Sequence, residues 1–478
     1  VLKNTEITFI FSHTIRLFRI HRGNRPIPVQ ETRLPTLPSP ISLSDLAQGR
    51  AVPFIHKPYW WEAMPPAPHE APVSGVADVA VVGSGFTGLS AALTLARAGR
   101  SVTILEAGTA GYGASTRNGG QVGSGNQKFR VRTLIDMMGV KKAQALLMEG
   151  VAMLDHMETL IADEKISCFF KRCGRFRGAV RPEHYDAMAR DMRDLERYAG
   201  VRSFMVPRAE QHSEIATDFF HGGSVLPQDA SLHPGLYHTG LLDRAQEAGA
   251  RLFCQAPVTA VERDSDGFTL RTPRGDLKAR QVIIATNGYR QSFSSFCRKR
   301  IVPVTSALIA TAPMPAERLN ALMPGGRMYG NSARVFSYFR AAPDEPRLIW
   351  GGRVGRLAPA TSARAYAHLA RDLLEVFPQA GDVSLSHAWS GQIGYTFDEF
   401  PHLGLAPDGL HYAVGYCGTG VSRSTWFGRK IALQVMDRPE GFSEFTGLRF
   451  PSHPFQTFAP AAVPFFEQWY RLRDAFNI

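Results

Sequence analysis

Residues 76–108 read VADVAVVGSGFTGLSAALTLARAGRSVTILEAG, and this stretch decides the fold. It opens with an apolar run, VADVAVVG (76–83), that reads as a buried strand. The run enters Gly83-Ser84-Gly85-Phe86-Thr87-Gly88, after which Leu89, Ala92, Leu93 and Ala96 recur at helical spacing until Gly99 stops the helix. A second apolar strand, SVTILEAG (101–108), follows. Strand, helix and strand within about 30 residues imply a crossover joining parallel strands. Each glycine has its own task. Gly83 permits the tight turn, Gly85 lets a pyrophosphate approach the backbone, and Gly88 lets the helix pack closely on the strand. The amides at the helix start, Thr87 among them, then face an anion. Glu106 closes the second strand beside Ala107, where a carboxylate can bond ribose hydroxyls. An acid there, rather than an arginine, argues against a 2′-phosphate.

Outside this unit the chain is ordinary for a globular protein. It has 478 residues, 44% hydrophobic and 20% charged, enough for two domains. The net charge of +12 suits nucleic acid, an anionic membrane surface, an anionic cofactor or substrate, or a plain solvated surface. No basic stripe interleaved with aromatics and no nucleic-acid motif occurs, so nucleic acid is not expected. The five cysteines are widely spaced without a CxxC pair, which points away from disulfides and zinc and toward a reducing, cytoplasmic setting. HExxH and GxSxG are absent too, and no metal is expected. No apolar stretch reaches the roughly 18 residues that span a bilayer.

The expected fold is α/β plus α+β: a Rossmann-like GxGxxG domain interleaved with an antiparallel-sheet substrate domain. Residues 1–54 read as a poorly ordered, basic and proline-rich extension. Segments 55–134, 226–300 and 385–436 are assigned to the dinucleotide domain, 135–225 and 301–384 to the substrate domain, and 437–478 to a C-terminal segment packed on the body.

The glycine-dense run GYGASTRNGGQVGSG (111–125) follows the second strand. With VAVVGSGFTGLSAALTLARAG, ILEAG and GASTRNGGQV, the chain resembles the FAD-dependent amine and amino-acid oxidases, the group of D-amino-acid oxidase and sarcosine oxidase. Within that group it looks most like the γ-glutamylputrescine oxidase branch, over roughly residues 55–435. The resemblance implies that Ser115, Arg117, Asn118, Gly119 and Gly120 line the flavin. Adjacent glycines agree with this, since no Cβ keeps a planar ring from the backbone. By the same resemblance Val258 meets adenine, and Ala285, Thr286, Asn287 and Gly288 approach the dinucleotide. Gly418, Thr419, Gly420 and Val421 aim amides at the ring's N1/C2 edge, where charge grows on reduction.

The implied reaction is hydride transfer from a C–H beside a neutral amine to flavin N5. The imine then hydrolyses, and dioxygen or another acceptor takes the electrons. No residue is required as a base. Two departures matter. Gly391 stands where sarcosine oxidases carry the cysteine that links flavin covalently, so non-covalent FAD is expected. Ile349 stands where those enzymes place an oxygen-activating lysine, which leaves a quinone or carrier open as acceptor. Phe336, Tyr338 and Arg340 share one face of a strand at period two. Together with Trp350, Arg353, Trp389 and Tyr395 they are candidates to enclose an alkylammonium or a carboxylate, or else to form an aromatic sheet core. The alternatives to a γ-glutamylputrescine-like amine are a D-amino acid, glycine or an N-methyl amino acid. A further alternative is a non-catalytic flavin-fold protein that binds a partner.

Overall fold

The structure, a computed structural model, describes residues 7–11, 14–18, 42–50, 54–64, 66, 72–123, 129–289, 292–353, 361–453 and 456. The fingerprint strand Val76–Val82 lies at the centre of an eight-stranded sheet. Parallel neighbours flank it, Val102–Leu105 on one side and the distal half of Gly275–Ile284 on the other. Arg251–Phe253 extends the parallel set beyond Val102–Leu105. On the far side Gly267–Thr272 and Ala260–Asp264 continue antiparallel. His411–Val414 pairs with the end of Gly275–Ile284 and leads into the helix Gly420–Val435. Strands 76–82 and 102–105 are almost fully buried, as expected of parallel strands covered on both faces.

The second sheet also has eight strands. Its order is Leu385–Tyr395, Val302–Thr311, Leu348–Arg353, Tyr338–Ala341, Met328–Asn331, Arg175–Gly178, Gly223–Leu226 and Phe204–Val206. Only 328–331 with 175–178 is parallel. Alternation gives it two distinct faces. Phe176, Tyr329, Phe339 and Trp350 form one core with the helix Ala367–Val376. Leu308, Ile349 and Trp389 lie on the opposite face with Tyr59 and Trp60, against which Tyr338 packs.

Three boundaries differ from the sequence reading. Leu385–Tyr395 pairs along its length with Val302–Thr311, so it belongs to the second sheet rather than to the dinucleotide unit. The helix Val140–Asp163 buries Leu146, Leu147, Met153, Leu154 and Met157 in the same core as the fingerprint helix Phe86–Arg97 and Gly420–Val435. It therefore packs with the dinucleotide unit, not with the substrate sheet. The extension is also shorter than 1–54. Ser42 opens the helix Leu43–Ala47 through a capping box with Asp45, and Leu43 and Leu46 are fully buried in the second sheet's core. The backbone of Ile7–Phe11 pairs antiparallel with Thr14–Phe18. The expectation for the rest of 1–41 lies outside the described residues, as does that for 457–478, although Phe445 and Phe450 before it are buried.

Candidate active site

The fingerprint turn leaves no room for side chains. Gly83 has φ +106°, and a Cβ there would lie 3.0 Å from the Ala285 carbonyl oxygen. A Cβ on Gly88 would stand 1.9 Å from the Gly83 carbonyl oxygen, so helix and strand touch backbone to backbone. Gly85 caps the helix, and Ser115 Oγ accepts from the Phe86 amide at 2.9 Å. Ser115 thus finishes the helix start from the glycine run. The Glu106 carboxylate accepts from Ser84 N (2.9 Å), Ser84 Oγ (2.7 Å) and Gly108 N (3.0 Å). Ala107 beside it is exposed. Thr87 is buried, its hydroxyl 2.7 Å from the Tyr416 hydroxyl. His238, which sequence reasoning missed, sits 2.7 Å from the Ser84 carbonyl through Nε2. Burial pulls its pKa down, so the neutral ring donates there.

The glycine run is pinned from behind by indoles. Trp60 Nε1 donates to the Asn118 carbonyl (2.8 Å), Trp389 Nε1 to the Arg117 carbonyl (2.9 Å), and Trp61 Nε1 to Thr116 Oγ1 (2.9 Å). Asn118 Oδ1 accepts from Gly120 N at 2.8 Å, and its Nδ2 donates to the Ser115 carbonyl at 2.8 Å. Arg117 points to the back of the run. It donates to the carbonyls of Tyr112 and Ser390, and its guanidinium lies over the rings of Trp61 (4.8 Å) and Tyr112 (4.4 Å). The side chain is thus engaged by the chain itself. The two adjacent glycines also separate. Gly119 lines a cavity of about 190 Å³ together with Asn118. Gly120, at φ +67°, faces away, where a Cβ would stand 2.2 Å from the Leu232 carbonyl oxygen.

The start of the helix Gly420–Val435 forms another wall of that cavity, through Gly418, Thr419 and Val421. Asn287, at φ +45°, accepts from the Gly415 amide through Oδ1 (3.0 Å), and so ties this turn to the end of strand Gly275–Ile284. Its side chain is therefore engaged by the chain itself. Ala285 N donates to the Val82 carbonyl, and the Thr286 carbonyl accepts from Tyr289 N. Gly288 packs against the backbone of Ile393 and Gly394. Val258 is buried at the outer edge of the first sheet's core.

The substrate candidates divide. Phe336, Tyr338 and Tyr395 line the cavity. The Tyr338 ring lies over Gly351, where a Cβ would come 2.4 Å from it, and its hydroxyl is 3.2 Å from Ser306 Oγ. Burial pushes the Tyr338 phenol up to about 12. Trp350 is fully buried on the other face, stacked on Phe339 at 4.2 Å, because strand register pairs those two residues. Trp389 is fully buried behind the glycine run. Arg340 is only 3% exposed and donates to the carbonyls of Gly120 (2.8 Å), Leu232 (2.9 Å) and Ala341 (2.9 Å), so it clamps the loop instead of meeting substrate. Arg353 pairs with Ser306 by its backbone, and the expectation for its side chain lies outside the described residues. Two cavity arginines, Arg175 and Arg423, are not among the sequence candidates: no motif marks Arg175, and the segment 415–424 singles out the amides of 418–421 and not the Arg423 side chain. The WW pair at 60–61 was visible in the sequence, but nothing local assigns it to the glycine run.

Residues 78–434 match the family described as FAD dependent oxidoreductase, and the chain belongs to that family. A probable oxidoreductase, OrdL, of Rhizobium meliloti is 29% identical over 426 residues, covering 87% of this chain and 97% of its own length. A gamma-glutamylputrescine oxidoreductase of Escherichia coli is also 29% identical, over 84% of this chain and 93% of its own. Among solved structures, glycine oxidase from Geobacillus kaustophilus superposes with a TM-score of 0.65 at 22% identity, over 80% of this chain and 99% of its own, a likeness of fold. The residues present fit FAD. The turn at Gly83 and Gly88 admits no Cβ, Glu106 stands at the end of the second strand, and bare Gly119 and the start of helix Gly420–Val435 border one cavity.

Proposed function

We propose that this family member oxidises the C–H bond beside the nitrogen of a γ-glutamylputrescine-like amine, in the cavity between Gly119 and the helix start at Gly420. The observation that carries the reading is the meeting of three walls there: the glycine run, the first turn of Gly420–Val435, and the sheet face bearing Tyr338. Bound FAD supplies the hydride acceptor, and dioxygen, reduced to hydrogen peroxide, restores it. The protein contributes position and electrostatics. Amides at the helix start are preorganised where negative charge grows. The Tyr338 phenol, held protonated, donates a hydrogen bond and does not act as a base. No carboxylate or histidine lines the cavity among the described residues, so the amine must arrive neutral. The imine product then hydrolyses to an aldehyde and an amine.

The cofactor is held without a covalent link in this reading. A side chain at Gly391 would meet Arg117 Cβ at 3.1 Å, and no cysteine occurs in Leu385–Tyr395. None of the five cysteines forms a disulfide, which suits a cytoplasmic setting. A second reading keeps the fold and changes substrate and acceptor: a D-amino-acid, glycine or N-methyl-amino-acid oxidase or dehydrogenase. It is favoured by Ile349, an apolar residue 1% exposed on the same sheet face as Trp389, where oxygen activation by lysine would need a charge. An anaerobic screen of amines and amino acids for flavin bleaching, followed by oxygen, tests both readings. Bleaching by acylated putrescines and fast reoxidation support the first. Bleaching by amino acids alone overturns it, and slow reoxidation by oxygen moves the acceptor to a quinone or carrier. A colourless protein that takes up no FAD would remove both.

A further inference from the structure

Tyr338 finds its partner two strands away. Leu348–Arg353 lies between Tyr338–Ala341 and Val302–Thr311. Tyr338 pairs with Gly351 on that middle strand, and its ring lies down over it. A Cβ at Gly351 would stand 2.4 Å from Tyr338 Cζ, so the bare residue gives the ring its path. The hydroxyl then reaches Ser306 of the far strand, a residue 7% exposed that lines the cavity with Tyr338 and Gly352. Ser306 Oγ has two oxygen neighbours. It stands 2.9 Å from the Gly352 carbonyl oxygen and 3.2 Å from the Tyr338 hydroxyl. A carbonyl carries no proton, so the single Ser306 proton occupies the shorter contact. The longer contact is then supplied by the phenol, which donates to Ser306 Oγ. Burial keeps the phenol protonated, and its one proton is committed. No described residue donates to the Tyr338 oxygen. What the phenol offers the cavity is therefore an acceptor.

Resting on the reading of this cavity as the site of amine oxidation, we propose that Ser306 is a positioning residue, holding the Tyr338 proton out of the cavity so that the phenol oxygen accepts an N–H of the ligand. A neutral amine has an N–H to give and keeps its lone pair. The contact places the nitrogen near Gly119, whose bare backbone borders the edge of the same ring. One proton sets this polarity, with no charge involved. Removing the Ser306 hydroxyl takes away the acceptor of the phenol, and a buried hydroxyl left unmatched turns to the partner that the cavity holds. The same tyrosine then becomes a donor, and the preference of the site reverses.

Difference spectroscopy of the FAD-loaded protein tests this without turnover, with the flavin band reporting occupancy. The probes are pyrrole and furan, rings of matched shape. Pyrrole gives one N–H, furan offers only an oxygen acceptor, and neither carries an amine to oxidise. The native protein should bind pyrrole about fivefold tighter than furan, the scale of one neutral hydrogen bond. Ser306→Ala should reverse that order. Ser306→Thr, which keeps the hydroxyl, should retain it, and Tyr338→Phe should bind both rings equally. Ser306→Cys, whose thiol accepts poorly, serves if the alanine variant does not fold. A native protein that binds furan as tightly as pyrrole, or binds neither ring, overturns the acceptor role of Tyr338. An unchanged pyrrole preference in Ser306→Ala and Ser306→Cys overturns the role of Ser306. Failure of turnover with every amine, alongside an intact pyrrole preference, would sink the proposed reaction and leave the polarity of the cavity standing.

Discussion

Replacing Gly119 and Gly120 separately by alanine should give opposite phenotypes, although the residues are neighbours. A methyl at Gly119 meets the Tyr338 ring edge at 3.0 Å and Leu308 Cδ2 at an ordinary 3.6 Å, and a ring can shift by the few tenths of an ångström needed. Overpacking of this kind costs about 1 kcal/mol, at the low end of its range. The methyl also enters the cavity wall, so the loss falls on the cofactor. Gly120 has φ +67°, where an L side chain costs about 1 to 2 kcal/mol. Its methyl would stand 2.2 Å from the Leu232 carbonyl oxygen, and residues 120 and 232 are joined by Leu232 N donating to the Gly120 carbonyl at 3.0 Å. Arg340 donates to both carbonyls. Parting them leaves buried polar groups unmatched, at about 1 to 3 kcal/mol each. With one such group left unmatched, the expected sum for Gly120→Ala is about 2 to 5 kcal/mol of folding stability. Urea unfolding of the cofactor-free protein gives the stability, and the ratio of flavin to protein absorbance gives retention. Gly119→Ala should lose flavin with a nearly unchanged urea midpoint, whereas Gly120→Ala should move the midpoint strongly. Equal midpoint shifts in the two variants would refute the division of labour between them.

Other outcomes follow from the same geometry. Glu106→Gln keeps an acceptor for Ser84 but removes the charge, so FAD affinity should fall by about tenfold in equilibrium dialysis while the fold is kept. Trp389→Phe deletes the donor to the Arg117 carbonyl and strands a buried acceptor. About 1 to 3 kcal/mol of stability should go, and flavin circular dichroism should change as the loop relaxes. His156 is pulled down to about 4, and His238 is also lowered, both chiefly by burial. Their folded-state pKa values lie below the ordinary one near 6.5, so unfolding takes up protons in acid. Stability from these neutral rings is intact above about pH 6.5 and is lost as pH falls toward 4. Urea midpoints measured across that window should decline, and His238→Gln should flatten the slope if the reasoning holds.

The first sheet was legible because its signals are local. Apolar runs and three glycines in a turn specify strand, turn and helix without help from distant residues. Period two correctly placed Tyr338 and Arg340 on one face, but it could not show that the Gly120 and Leu232 carbonyls occupy the guanidinium, 220 and 108 residues away in the chain. Trp350 takes the second of its two readings, the aromatic core, because pairing with Phe339 turns it to the other face, and sequence alone does not fix that register. Arg117 sits in a cofactor-type motif, yet Trp61 and Ser390 draw it backward. Arg175 belongs to no pattern, and Arg423 lies just past the glycine turn 418–420 whose amides alone the sequence singles out. Their shared cavity exists only once the second sheet meets the last long helix.

The indoles that hold the glycine run have a consequence for how the protein is made. Arg117 and Trp389 are 272 residues apart. At the usual pace of synthesis, roughly 5 to 20 residues per second, the later one leaves the ribosome about 15 to 50 s after the earlier. Throughout that interval the run lacks one of its three indole donors, and Arg340 arrives only near its end. The fingerprint strand and helix can assemble early, whereas the surface that receives the ring cannot. A nascent chain arrested before Trp389 should therefore carry a dinucleotide turn with no seat for the flavin, and cofactor loading becomes a late event of biosynthesis.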